Sequence, residues 1–176
     1  MIFTATDVAG AYIIDVEPHT DERGLFARTW SVKEIQERGL EEPIVQCSTS
    51  FNRYEGTLRG MHYQVAPHEE GKYVRCTRGR AYDVAVDLRP ESPSYKQWVG
   101  TELSAENRRT LYVPPGCAHG FLTREDATEI YYQITAPYAP AHARGVRWDD
   151  PAFGITWPAP VLHLKERDRT YPDFID

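Results

Sequence analysis

The chain has 176 residues, 41% of them hydrophobic and 26% charged, with a formal net charge of −6. That length suits one domain able to bury a core unaided. The acidic balance excludes a broad nucleic-acid-binding face, which needs basic excess, but not an anionic small molecule, which needs only a few local arginines.

In chain order, the first local signal is Ser31-Val-Lys-Glu34, which has the form of a capping box. Gly39 supplies a C-terminal stop, so a short surface helix is predicted over 31–38. After it the signals are β. Lys72, Val74 and Cys76 fall on one face of a strand. Val84, Val86 and Leu88 then alternate with Asp83, Ala85, Asp87 and Arg89, and Ile130, Tyr132 and Ile134 share a face of a later strand. Arg-Gly at 78–79, Arg-Pro-Glu-Ser-Pro at 89–93 and Pro-Pro-Gly at 114–116 separate the runs. This spacing predicts an all-β sandwich, jelly roll or closed barrel. No repeat, low-complexity tract or linker divides the chain, so 1–176 reads as a single domain.

Cys47, Cys76 and Cys117 form no CxxC pair. An odd number without that spacing argues against a disulfide framework or cysteine zinc site, and for a reducing cytoplasm. No apolar run approaches the ~20 residues of a membrane span, and the N-terminus lacks a basic-then-apolar leader pattern.

Chemistry concentrates in Gly56-Thr-Leu-Arg59-Gly-Met-His62-Tyr-Gln64. Histidine suits proton transfer near neutrality, although a lone histidine is more often structural. Here Arg59, Lys72 and His119 lie in β segments that a barrel can converge on one hollow with it. Strict alternation would put Arg59 and His62 on opposite faces. Gly60 between them predicts a bulge that restores a common face. Tyr132 should point inward with its isoleucine neighbours, where core packing is the plainer explanation. Lys72 shares a face with Val74 and Cys76, and a lysine is rarely buried without a partner or a task. A metal site built from His62, His119 and Glu69 is conceivable. Against it, no histidines pair as HxH or HxxxH, and Gln64 rather than a histidine stands two residues after His62.

Taken together these motifs resemble the dTDP-4-dehydrorhamnose 3,5-epimerase family of the cupin superfamily. The resemblance runs through Asp21-Glu-Arg23-Gly-Leu-Phe26, Gln46, Leu58-Arg59-Gly-Met-His62-Tyr-Gln64, Lys72 and Asp83-Val-Ala-Val-Asp87-Leu-Arg89. It continues through Pro114-Pro-Gly-Cys-Ala-His119-Gly-Phe121, Trp148-Asp-Asp-Pro151, Trp157-Pro158 and Leu164-Lys-Glu-Arg-Asp168. It implies a cupin jelly-roll barrel (double-stranded β-helix) with a few short peripheral helices, acting without metal or other cofactor on a nucleotide-linked 4-keto-6-deoxyhexose. It implies a homodimer as well, with the N-terminal part contributing to the interface. By the family pattern His62 removes a proton at C3 or C5, Asp168 orients it, and Tyr132 returns a proton from the opposite face. Lys72 stabilises the C4 oxyanion with His119 nearby. Arg23 and Arg59 would hold the diphosphate, Tyr138 would stack on the base, and Gln46 would contact it.

Elementary chemistry fits that scheme. A ketone α-proton is less acidic than an imidazolium by roughly a dozen pKa units, about 16 kcal/mol, so fixed cationic donors at the ketone oxygen are needed. The 4-keto group is itself the electron sink, which removes the need for a cofactor. Departures from the family pattern fall at Arg28, where a glutamate is common, and at Gln46-Cys47-Ser48, where Gln-Asp-Asn is common. Arg28 and Ser48 thus join the candidate nucleotide-binding residues with altered hydrogen bonding, which leaves dTDP, CDP and GDP sugars open. Also open are a 3- or 5-mono-epimerase, a 3,4-ketoisomerase, and a non-catalytic sugar-nucleotide-binding module.

Overall fold

The computed structural model describes residues 1–40 and 43–175. Strands β1 (Ile2–Ala5) and β2 (Tyr12–Asp15) form a hairpin, and β3 (His19–Asp21) and β4 (Gly24–Phe26) form a separate two-stranded sheet. Helix α1 (Val32–Gln36) follows. The barrel strands are β5 (Gln46–Asn52), β6 (Thr57–Gln64), β7 (Lys72–Arg78), β8 (Arg80–Asp87), β9 (Trp98–Ser104), β10 (Thr110–Val113), β11 (Cys117–Thr123) and β12 (Thr128–Ile134). Short strands β13 (Ala143–Gly145) and β14 (His163–Leu164) precede helix α2 (Glu166–Arg169).

One sheet has the order β1-β2-β10-β7-β12-β5 and the other β13-β6-β11-β8-β9, with β14 running parallel beside β6. The main strands pair antiparallel with non-consecutive neighbours, the crossing pattern of a jelly roll. Between the sheets lie Val74, Leu111, Val113 and Ile130 from one side and Ala81, Ala85, Leu103 and Phe121 from the other. The outer face of the second sheet is also covered, Met61, Val84 and Val86 packing under Val146 and Phe153. Helix α1 covers the first sheet, setting Ile35 against Ile14, Tyr73 and Tyr112. No helix of the described residues is long and apolar enough to cross a membrane.

The strand faces follow the period-two expectation. Val74, Cys76 and Ile130 all enter the inter-sheet core, and Tyr132 packs against it. The helix differs from expectation. It is shorter than 31–38, and Ser31 makes no side-chain capping bond. Glu34, the other half of the expected box, accepts instead from the Met1 ammonium at 2.8 Å and from Arg28 at 3.2 Å. A charged donor outcompetes a backbone amide for a carboxylate. Gly39 does end the helical turn, with φ +72° and its amide donating to Gln36 O.

Candidate active site

The site begins with an irregularity in β6. His62 pairs with His119 and Arg59 with Phe121, so Gly60 and Met61 together oppose Gly120 alone. This extra residue is the predicted bulge, and it returns Arg59 and His62 to one face. Glycine is required on both strands. Gly60 has φ +142°, and a Cβ there would sit 2.5 Å from Gly120 Cα, while a Cβ on Gly120 would sit 2.6 Å from Met61 Sδ.

Arg59, His62, Lys72, His119, Tyr132 and Asp168 then line one cavity of about 780 Å³ at the open end of the barrel. Asp168 comes from the far end of the sequence. The parallel pairing of β14, His163 against Thr57 and Leu164 against Leu58, lays the C-terminal segment along β6, and α2 turns Asp168 inward. His62 Nε2 lies 2.8 Å from Asp168 Oδ1, and the Gly60 amide donates to Asp168 Oδ2 at 3.4 Å. Burial pushes the Asp168 carboxyl up, but His62, the Gly60 amide and Arg167 outweigh it and hold it below the ordinary range. Asp168 is therefore an acceptor at neutral pH. In the tautomer that gives it the Nε2 hydrogen of His62, Nδ1 is the lone-pair nitrogen; Arg167 Nη2 also approaches Nε2, at 3.2 Å.

A second histidine–carboxylate couple lies deeper. His119 Nε2 is 2.8 Å from Asp83 Oδ1, and the His119 ring stands edge-on to Tyr132 with centroids 6.1 Å apart. Burial, reinforced by the charge of Asp83, pushes the Tyr132 phenol well above its usual value against the opposing Arg59 guanidinium, so the phenol keeps its proton. Lys72 Nζ donates to the His62 carbonyl at 3.3 Å and pairs with Glu70 Oε1 at 2.9 Å. Arg59 is aimed by Asn52, whose Oδ1 accepts from Arg59 Nε at 2.7 Å.

Ser48 lines the same cavity, whereas Gln46 and Tyr138 do not. They meet each other at its margin, the Tyr138 amide donating to Gln46 Oε1 at 3.1 Å. The Tyr138 side chain borders an adjoining hollow of about 280 Å³ that shares His62 and Arg167 with the main one. Arg23 and Arg28 stand apart within this one chain. Arg23 is 84% exposed beside Asp21 in the β3–β4 turn, and Arg28 is 62% exposed beside Glu34. The residues of β3 and β4 are all exposed, so this arm projects from the barrel and carries Arg23 with it. Among the described residues no three His, Cys, Asp or Glu side chains are grouped as a metal would need. His62 and His119 each direct Nε2 at a carboxylate, and Glu69 is exposed.

Sequence reasoning passed over Asp83, Asn52 and Glu70 as site residues, and also the cations Lys165, Arg167 and Arg169, which line the cavity around Asp168. The last three had a visible signal: three basic residues in five positions of an otherwise acidic chain.

A jelly roll whose open end gathers a histidine–aspartate couple, a protonated phenol and a buried lysine is a cupin of the sugar-epimerase class. The match to known proteins is narrower. The family model described as dTDP-4-dehydrorhamnose 3,5-epimerase matches residues 5–176, and the chain belongs to that family. A dTDP-4-dehydrorhamnose 3,5-epimerase of Sinorhizobium fredii is 42% identical over 177 residues, covering 100% of this chain and 91% of the relative. The crystal structure of the Elizabethkingia anophelis enzyme of that name superposes with a TM-score of 0.95 at 36% identity, covering 99% and 96% of the two chains. A Legionella pneumophila dTDP-6-deoxy-D-glucose-3,5-epimerase in complex with dTDP-4-keto-L-rhamnose gives a TM-score of 0.88 at 35% identity, covering 95% and 89%.

Proposed function

We propose that the protein epimerises a dTDP-linked 4-keto-6-deoxyhexose at C3 and C5, as the names of its relatives indicate, and that it does so without a cofactor. The observation that carries this reading is the presence in one cavity of the His62–Asp168 couple, the protonated Tyr132 and the Lys72 ammonium. His62 Nδ1 takes the α-proton, and the electron pair moves through the enolate to the C4 oxygen. Lys72, with His119 close by, meets the charge that develops there. Asp168 stabilises the imidazolium that forms. Tyr132 then delivers its phenolic proton to the opposite face of the same carbon. Water resets both groups, so the net reaction is isomerisation with solvent hydrogen at the inverted carbon. Arg59 and the rim cations Lys165, Arg167 and Arg169 suit the diphosphate, and Ser48 lies where it can contact the nucleotide.

The same proposal includes a homodimer. The arm's exposed Leu25 and Phe26 are apolar surface on a projecting hairpin, and a second copy would cover them and receive Arg23. Free thiols at Cys47, Cys76 and Cys117 suit the cytoplasm as its compartment. The test is incubation with dTDP-, CDP- and GDP-linked 4-keto-6-deoxyglucose in deuterium oxide, followed by NMR of the product. Deuterium at both C3 and C5 of the dTDP sugar is expected. Label at one carbon alone would make it a mono-epimerase, and none with any nucleotide would overturn the reading.

A further inference from the structure

Three of the basic side chains that line the cavity are each matched to a carboxylate. His62 has Asp168 and His119 has Asp83; Lys72 has Glu70. The third couple is well enclosed, the two side chains being 9% and 10% exposed. Its backbone is also fixed. The Gly71 amide donates to Thr135 Oγ1 at 2.7 Å, the Thr135 amide donates to Gly71 O at 3.0 Å, and Gln64 Nε2 donates to His68 O at 2.8 Å. Thr135 follows directly on β12, which bears Tyr132, and Gln64 ends β6, which bears His62. Glu70 is thus built into the frame that holds the base and the acid.

We propose that Glu70 is a positioning residue for the epimerisation, acting through Lys72; this rests on the function proposed above. A lysine ammonium is a point charge on a flexible four-carbon stem with three hydrogens to donate. Glu70 Oε1 and the His62 carbonyl engage two of them. The third remains for the C4 oxygen, and the stem cannot swing away as charge develops there. A cation already facing a carboxylate also gains little from a neutral ketone. Its benefit therefore falls on the transition state more than on substrate binding, and removal of Glu70 should appear in kcat rather than KM.

The test compares wild type with Glu70→Gln, which keeps the shape and loses the charge, and with Glu70→Asp, which keeps the charge and shortens the reach. Glu70→Gln is expected to lower kcat roughly tenfold with KM within about twofold, and Glu70→Asp to fall between it and wild type. In a Lys72→Met background the same Glu70→Gln change should cost nothing further, because the two residues act as a unit. A readout independent of turnover is hydrogen exchange of the lysine ammonium groups in 15N-lysine-labelled protein. The chain has four lysines, at 33, 72, 96 and 165, and Lys72→Met assigns the signal. Exchange at Lys72 should quicken in Glu70→Gln. An unchanged kcat overturns the proposal, and so does an equal loss in the Lys72→Met background, which would mark a merely structural role. If wild type itself turns over no substrate, the functional reading fails by itself, and the ammonium signal still decides whether Glu70 restrains Lys72.

Discussion

Strand β8 carries two carboxylates four residues apart, Asp83 and Asp87, both without solvent exposure, and the two ends of the barrel treat them in opposite ways. Asp87 Oδ1 accepts from the Arg89 amide and Nε at 3.0 and 2.8 Å, and Oδ2 accepts from Arg89 Nη2, Ser92 Oγ and Ser94 Oγ. Burial pushes that carboxyl up, but these donors together bring it down to about 2. Asp83 has His119 on one oxygen, and its other oxygen lacks a partner among the described residues. Burial raises it against the pull of His119 and Lys72. The Asp87 end is sealed by its own turn and by Ala9, which exchanges hydrogen bonds with Arg89 and Ser94. The Asp83 end opens on the cavity through His119. A polar group given every donor it can use holds a fold together. One left short beside a cavity keeps its field for a ligand.

The sharpest way to break this comparison is at the open end. His62→Ala should reduce solvent exchange at C3 and C5 by about 10³, the scale of a lost general base, while the melting temperature stays close to that of wild type. Tyr132→Phe should reduce inversion by roughly 10² yet still allow hydrogen exchange at the same carbons, since His62 can remove and return a proton on its own face. Product NMR in deuterium oxide separates the two. Undiminished inversion in Tyr132→Phe would place the acid elsewhere.

How much of this was legible depends on the range of the interactions. Period-two faces are local, so the inward placement of Lys72 and Tyr132 could be read from neighbours two residues away. The bulge was legible because a glycine stood between two site residues of opposed parity. Asp83 was hidden for a different reason. Both faces of β8 are buried, so the alternation of Val84 and Val86 with Asp83 and Ala85 carries no inside–outside information. The His62–Asp168 couple spans 106 residues and depends on the parallel β14 pairing, which no local pattern announces; it came from family resemblance alone. The capping box misled because its glutamate is drawn off by the Met1 ammonium, 33 residues away. Glu70 lies in a connecting loop, where strand periodicity gives no face.

The projecting arm is a smaller lever on the same contrast. If Arg23 holds a diphosphate contributed across a dimer, it binds ground and transition states alike. Arg23→Ala should then raise KM roughly tenfold and leave kcat within about twofold. Steady-state kinetics check this, and an unchanged KM would remove the arm from the binding site.

The sealed end should respond in stability alone. Asp87 sits lower in the folded protein than its ordinary 3.8, at about 2. A carboxyl depressed on folding contributes stability that is complete above its unfolded value and drains away as the pH falls through its folded one. The contribution is thus full at pH 7 and lost between about pH 4 and pH 2, and its size is about 2 kcal/mol. Asp87→Asn keeps the shape but gives up the Arg89 ion pair and, with its amide nitrogen at the Oδ2 position, the acceptor shared by the Ser92 and Ser94 hydroxyls. The melting temperature at pH 7 should fall by about 4–8 °C, and the gap from wild type should narrow as the pH drops below 4. Activity per folded molecule should not change, because none of the partners of Asp87 lines the cavity. Calorimetry across that pH range, with exchange rates measured on the same samples, puts the division of labour at risk. An Asp87→Asn protein that melts like wild type but no longer exchanges α-hydrogens would mean that the sealed end tunes the open one.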